Sequence, residues 1–464
     1  MTTVPVKASA PLWRAILQQA WPILVTAWAS TVFAVMGTVM VGHASAADLQ
    51  AMALGASVYV TVFIGLMGVV HALIPIVAQQ VGAQRHAEAG RIWGQGIWLA
   101  LGLSALGSAS LLFPDLWLLL SGQVEPRVHQ RVAGYLMALA GALPAALVFR
   151  TIYATGAAIS HTREVMAINL GSILFKLLFN AWFIFGGWGL PAMGAVGAGV
   201  ATLLTSWIVL AAGLWMIRHR TAFRMLKLRL GRPRWADQKE LLRLGLPMGG
   251  SYLIEICAFS FMTLLIARDG LYASGAQQIL GNLITLCYML PMSLSLSTAS
   301  LTARAVGGAD HALARRAGRC GILMVVLCAL LTGLILAVAR PWIVRAYTDE
   351  AQVAALALAL LHIAPWAHFC DAMHCVSAYV LRAYKVAMAP MLIQTVALIG
   401  IGLLGGWWLA YGPAAGALAP VARWLSPGAP AGAATMWIMT MAGLAATAAS
   451  LFAWYGRVLR RFPP

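Results

Sequence analysis

Apolar runs, each long enough to cross about 30 Å of hydrocarbon, recur twelve times along this chain. They begin near Leu17, Met52, Trp93, Val132, Val165 and Ala195, and again near Leu246, Ala276, Gly321, Ala354, Ala389 and Gly432. A length of 464 residues would suggest about three soluble domains, but the apolar runs override that prior. The chain is 61% hydrophobic and 9% charged, against about 25% charged in a soluble domain. No soluble core buries that much apolar surface. In lipid each run must satisfy its own backbone hydrogen bonds, so each is a helix. The fold class expected is an all-α polytopic membrane protein with twelve transmembrane helices.

A net charge of +18 is not a nucleic-acid signature here, because the basic residues are scattered in short segments between apolar runs. With twelve spans both termini lie on one side. If that side is cytoplasmic, eight of the 31 Lys and Arg lie elsewhere. Six are outside (Arg127, Arg131, Arg268, Arg340, Arg345, Arg423), and Arg150 and Lys176 are within spans. That asymmetry follows the positive-inside rule, so both termini are expected in the cytoplasm. The run after Lys7 and Arg14 is too long for a signal-peptide core and lacks a cleavage site, so it reads as a retained first span.

The segment from Arg218 to Arg243 carries nine basic residues and divides the chain into residues 1–217 and 244–464, each with six spans. The halves resemble each other. An offset of 225 aligns Pro22 with Pro247, Val81-Gly82 with Val306-Gly307, His86 with His311 and Arg91 with Arg316. Later the offset drifts to 221, between Pro144 and Pro365. Six spans per half start both halves on the same face, so the repeat is parallel, and a solute site is expected between halves near the midplane.

Of thirteen acidic residues only Glu255 and Asp371 sit deep in apolar segments. Glu255 is twelve residues from Arg243 and Asp371 eleven from Arg382, which places both about 17 Å from the same face. A charge at that depth costs about 2.5–3.5 kcal/mol on insertion scales, so each acid needs a partner, a cavity or a proton. Two carboxylates in one layer can share a cation or a proton; alternatively each is a structural acid bonded to neighbouring hydroxyls. The first half carries the opposite sign. Arg150 and Lys176 each lie thirteen residues from Arg163 and share a layer. They either line a polar cavity that favours anionic groups, or bond carbonyls and snorkel. Asn180, one turn beyond Lys176, is a further cavity candidate.

His368, Asp371, His374 and Cys375 share a helical face. Those side chains suit a transition metal or a proton relay, or simply pack in a wet cavity. With no second ligand cluster, no metal site and no cofactor are expected. The six cysteines all fall in the second half with no CxxC pair, which indicates no disulfide framework. Trp13, Trp93, Trp117, Trp342 and Trp454 lie near span ends and read as interfacial anchors. No phosphate loop, nucleophile elbow or HExxH occurs, so neither ATP hydrolysis nor another enzyme activity is supported.

Several motifs carry a family resemblance spanning nearly the whole chain. They are Trp21-Pro22 and Leu246-Pro247, TVMVGH from Thr38 to His43, PIVAQQVGA from Pro75 to Ala83, GAQQILGN from Gly275 to Asn282, and DAMHCVSAYVLRAYK from Asp371 to Lys385. The sequence resembles the multidrug and toxic compound extrusion (MATE) transporters, in particular their bacterial NorM-like branch. The resemblance implies two six-helix lobes forming a V, and a monomer in the bacterial inner membrane. It implies export of amphiphilic organic cations against inward Na⁺ or H⁺, with drug-like small molecules and the bilayer as partners and no nucleic acid. Glu255 and Asp371 match the family's second-lobe acids, and Gln278 and Asn282 match polar residues of the eighth span. His368 joins the cavity candidates. Where the family carries a first-span aspartate this chain has Gly37, which leaves the first-lobe cavity neutral or basic and admits zwitterions or anions. A flippase for lipid-linked precursors shares the architecture and uses a basic cavity. Arg150 and Lys176 speak for it and the second-lobe acids against it.

Overall fold

The computed structural model describes residues 11–119, 125–187 and 189–462; the chain termini, and with them Lys7, lie outside the described residues. Twelve long helices follow one another: α1 (Leu12–Ala44), α2 (Ala46–Gly82), α3 (His86–Leu111), α4 (Pro126–Ala158), α5 (Thr162–Phe185), α6 (Gly194–His219), α7 (Trp235–Ile266), α8 (Leu271–Gly307), α9 (His311–Tyr347), α10 (Ala351–Leu360 with Ala364–Ala383), α11 (Met388–Ala410) and α12 (Ala431–Arg461). Among the described residues ten are long and apolar enough to cross a membrane, and α10, bent by 50° at its break, makes eleven. The twelfth, α3, has 26 residues, but Gln95 and its glycines and serines dilute its apolar character. It is compensated by burial: Trp93, expected as an interfacial anchor, is instead packed inside at 5% exposure. Helices of 33 to 37 residues exceed what hydrocarbon requires and carry their ends into the interfaces.

The chain falls into two compact units, residues 21–249 and residues 11–20 with 250–462. Each unit repeats one capping device. In the first, the buried Asp48 at the start of α2 accepts the Ala195 backbone N–H at 2.9 Å and pairs with Arg131 at 2.6 Å. In the second, Asp269, just before α8, accepts the Ala433 N–H at 2.7 Å. Each carboxylate thus neutralises free amides at the N-terminus of its unit's last helix. Gly194 and Gly432 stand where a Cβ would collide with that carboxylate. The same cap thus recurs in both units.

The basic segment between α6 and α7 lies against α3. Gly90 and Gly94 leave no room for a Cβ beside the carbonyls of Leu226 and Arg229. Gln95 donates to the Arg232 carbonyl and accepts the Arg234 N–H, both at 2.9 Å. Arg91 ties the ends together through Glu88 and Asp237.

Candidate functional site

In the second unit α7, α8 and α10 bring the deep acids together. Glu255 of α7 lies near Tyr288 of α8 and close enough to Asp371, His374 and Arg382 on α10 to feel their charge. Cys375 follows His374 on α10 and is buried at 1% exposure. Asp371 and His374 are one helical turn apart, each with a side chain 4% exposed, and their Oδ1 and Nδ1 atoms stand 3.7 Å apart. That separation is too long for a hydrogen bond, and both atoms are buried without a partner among the described residues, as is His368 Nδ1. Buried polar atoms are rarely left so; a proton, water or cation is the usual missing partner. His368 uses its Nε2 on Thr332 of α9, at 2.7 Å. Among the described residues no group of three or more His, Cys, Asp and Glu is arranged to hold a metal ion.

Arg382 sits differently from the sequence expectation. It served there as a marker of the cytoplasmic face, yet it is buried at 5% exposure near the end of α10. Its guanidinium lies 5.0 Å from the Tyr252 ring and 4.6 Å from the Tyr379 ring, and donates to the Tyr252 hydroxyl at 3.1 Å. The two tyrosine hydroxyls bond each other at 2.9 Å. A delocalised cation on aromatic faces tolerates such burial better than an ammonium would. Tyr252, Tyr288, Tyr379 and Arg382 escaped the sequence reading because aromatic and basic residues near span ends pass for anchors. Their spacing held a signal: Tyr252 is three residues before Glu255, and Tyr379 three before Arg382.

The first unit holds a cavity of about 240 Å³ walled by α1, α2, α4, α5 and α6. Arg150 and Lys176 both line it. Arg150 lies 5.4 Å from the rings of Phe63 and Tyr153, and the Lys176 ammonium 4.7 Å from Phe33. No carboxylate lines the cavity. Of the remaining candidates, Asn180 is buried at 1% exposure and packs toward Gly37, where a Cβ would lie 3.6 Å from its amide nitrogen. Gln278 and Asn282 bond each other at 3.3 Å on an exposed face of α8, and no hydrogen bond carries them to Glu255.

Compared with known families, the chain matches the MatE family model twice, over residues 22–182 and 247–408. The chain belongs to the MatE family. The two matches begin at Pro22 and Pro247, the pair that first marked the repeat. Among curated relatives, a probable multidrug resistance protein NorM of Aromatoleum aromaticum is 36% identical over 85% of this chain and 86% of its own length. A multidrug resistance protein MdtK of Photorhabdus laumondii is 29% identical over 95% and 94%. Solved MATE structures share the fold at low identity. The Vibrio cholerae MATE transporter VcmN in its bent form superposes with a TM-score of 0.82 at 18% identity, covering 97% of this chain and 98% of that one. A MOP superfamily transporter from Pyrococcus furiosus, described as having a binding pocket of reverse polarity, gives 0.85 at 16% identity over 100% and 99%. This MatE-family member is therefore a multi-pass membrane transporter.

Proposed function

We propose that this MatE-family chain is a secondary active efflux antiporter that exports amphiphilic organic cations in exchange for an inward cation, Na⁺ or H⁺, bound at Glu255 and Asp371. The observation that carries the reading is the buried Asp371 Oδ1, without a hydrogen-bond partner among the described residues, facing His374 and close to the partly buried Glu255. A carboxylate pair with Tyr288 and two histidines within reach offers oxygen ligands to Na⁺ and exchangeable positions to H⁺. The relatives named for multidrug resistance support export as the direction. The charge asymmetry supports an inner-membrane orientation with cytoplasmic termini. Gln278 and Asn282 are the candidate polar contacts for substrate on α8, and His368 a relay residue beside Thr332.

A second reading, a flippase for lipid-linked precursors, is favoured by one observation: the first-unit cavity carries Arg150 and Lys176 and no acid. Inverted membrane vesicles with Na⁺ and pH gradients imposed separately test the first reading, beside a lipid-flipping assay on the same preparation. The antiporter reading expects uptake of an organic cation driven by one of the two gradients. Lipid flipping without gradient-driven uptake would replace it with the second.

A further inference from the structure

The polarity of the first-unit cavity is the feature that organic-cation export leaves unused. Its hydroxyls are turned away as donors: Thr26, Ser30, Ser172, Thr202, Thr205 and Ser206 each donate to a carbonyl of their own helix at 2.7 to 2.9 Å. The donors left facing the space are the Tyr59 hydroxyl and two cations, the Arg150 guanidinium and the Lys176 ammonium. Neither forms an ion pair among the described residues; each instead lies against aromatic faces, Phe63 and Tyr153 for Arg150 and Phe33 for Lys176. Two cations that face one space without a counter-charge give it a positive potential that favours an anion.

We propose that this cavity is an anion-binding subsite, which takes a carboxylate, sulfonate or phosphate carried on an aromatic or acyl body. Arg150 supplies a planar fork that matches an oxyanion in two hydrogen bonds, and Lys176 a point charge beside it. The rings of Tyr59, Phe63 and Phe149 wall the same space and suit an apolar body adjoining the anion. At about 240 Å³ the cavity is smaller than the usual drug-sized pocket and fits a head group rather than a whole amphiphile. Binding at this subsite stands independently of Glu255 and Asp371; its use in transport rests on the antiporter reading.

The test uses the full-length chain in nanodiscs of zwitterionic lipid, with binding followed by calorimetry. The probes are 1-naphthoate, the matched 1-naphthylmethylammonium and 1-naphthalenemethanol, and dodecyl phosphate. Naphthoate is expected to bind about tenfold or more tightly than the ammonium and the alcohol, the worth of one charge-assisted hydrogen bond. Arg150→Gln and Lys176→Gln should each remove that preference, while Lys176→Arg keeps most of it. Dodecyl phosphate competing with naphthoate would make lipid phosphate a source of the anion, and failure to compete would restrict it to aromatic carboxylates. An ammonium that binds wild type as tightly as naphthoate would overturn the subsite, and that comparison needs no variant to fold. Unchanged naphthoate affinity in a monodisperse Arg150→Gln, Lys176→Gln double variant would overturn it as well. Glu255→Gln separates the two proposals: naphthoate binding should persist there while gradient-driven transport is lost.

Discussion

Glu255 and Asp371 stand out in the sequence because carboxylates are rare in apolar runs, and the structure shows what the sequence does not carry, their neighbours. Tyr288 comes from another helix, 33 residues after Glu255, and no spacing rule links them. Glu255→Gln and Asp371→Asn are each expected to abolish gradient-driven efflux while membrane insertion is kept, measured as vesicle uptake beside protein yield. Tyr288→Phe removes a hydroxyl beside the Glu255 carboxylate but no charge. It should weaken coupling about tenfold rather than abolish it, consistent with about 1–2 kcal/mol for a hydrogen bond. Gly37 is legible only as a departure from a family pattern. In the structure a Cβ there meets Asn180 and Met52 at 3.6 Å, ordinary contact distance. Gly37→Asp should therefore fold, and its carboxylate, one turn from Phe33 beneath the Lys176 ammonium, should compete with anions. Naphthoate affinity in that variant is expected to fall, measured by the same calorimetry.

At the scale of helices, each apolar run lies within a helix, since runs of this length have one solution in lipid, but α7 begins at Trp235 and α9 at His311, well before the runs near Leu246 and Gly321. The bend in α10 and the strap on α3 were not legible in the sequence, because both depend on contacts between distant segments. The same holds for the caps: Asp48 and Ala195 are 147 residues apart, Asp269 and Ala433 164. Gln95→Ala removes two side-chain bonds that hold the basic segment. It should lower stability by about 1–3 kcal/mol and speed tryptic cleavage between Arg229 and Arg234, read by gel after limited proteolysis. The strap also titrates. Hydrogen bonding from Arg91 holds the Glu88 carboxyl below its ordinary range. A depressed carboxylate stabilises the fold above its unfolded pKa of about 4.3, and that contribution is lost as pH falls through its lower folded value. Thermal melts of wild type should therefore lose more on moving from neutral pH to about pH 3 than melts of Arg91→Gln.

Taken whole, the molecule carries two opposite charge arrangements in two repeated units. Two acids beside histidine, Asp371 buried and Glu255 partly so, lie in the second unit, and two cations without an ion pair among the described residues line a cavity in the first. The repeat made the units comparable from sequence, through offsets shared by prolines and glycines. The difference in polarity was also legible, as four charged residues in apolar runs, but whether those charges met could be decided only by packing. An ion moving inward through the acid cluster at 100 mV would contribute about 2.3 kcal/mol per unit charge to export. The most direct test of that coupling is to reconstitute the protein in sealed proteoliposomes and record Na⁺ and proton flux when substrate is added on one side, for wild type and Glu255→Gln in parallel. Substrate-dependent counterflow of one cation in wild type, absent in Glu255→Gln, is the predicted result. Substrate movement at the same rate in both proteins, with no cation moving the other way, would contradict it.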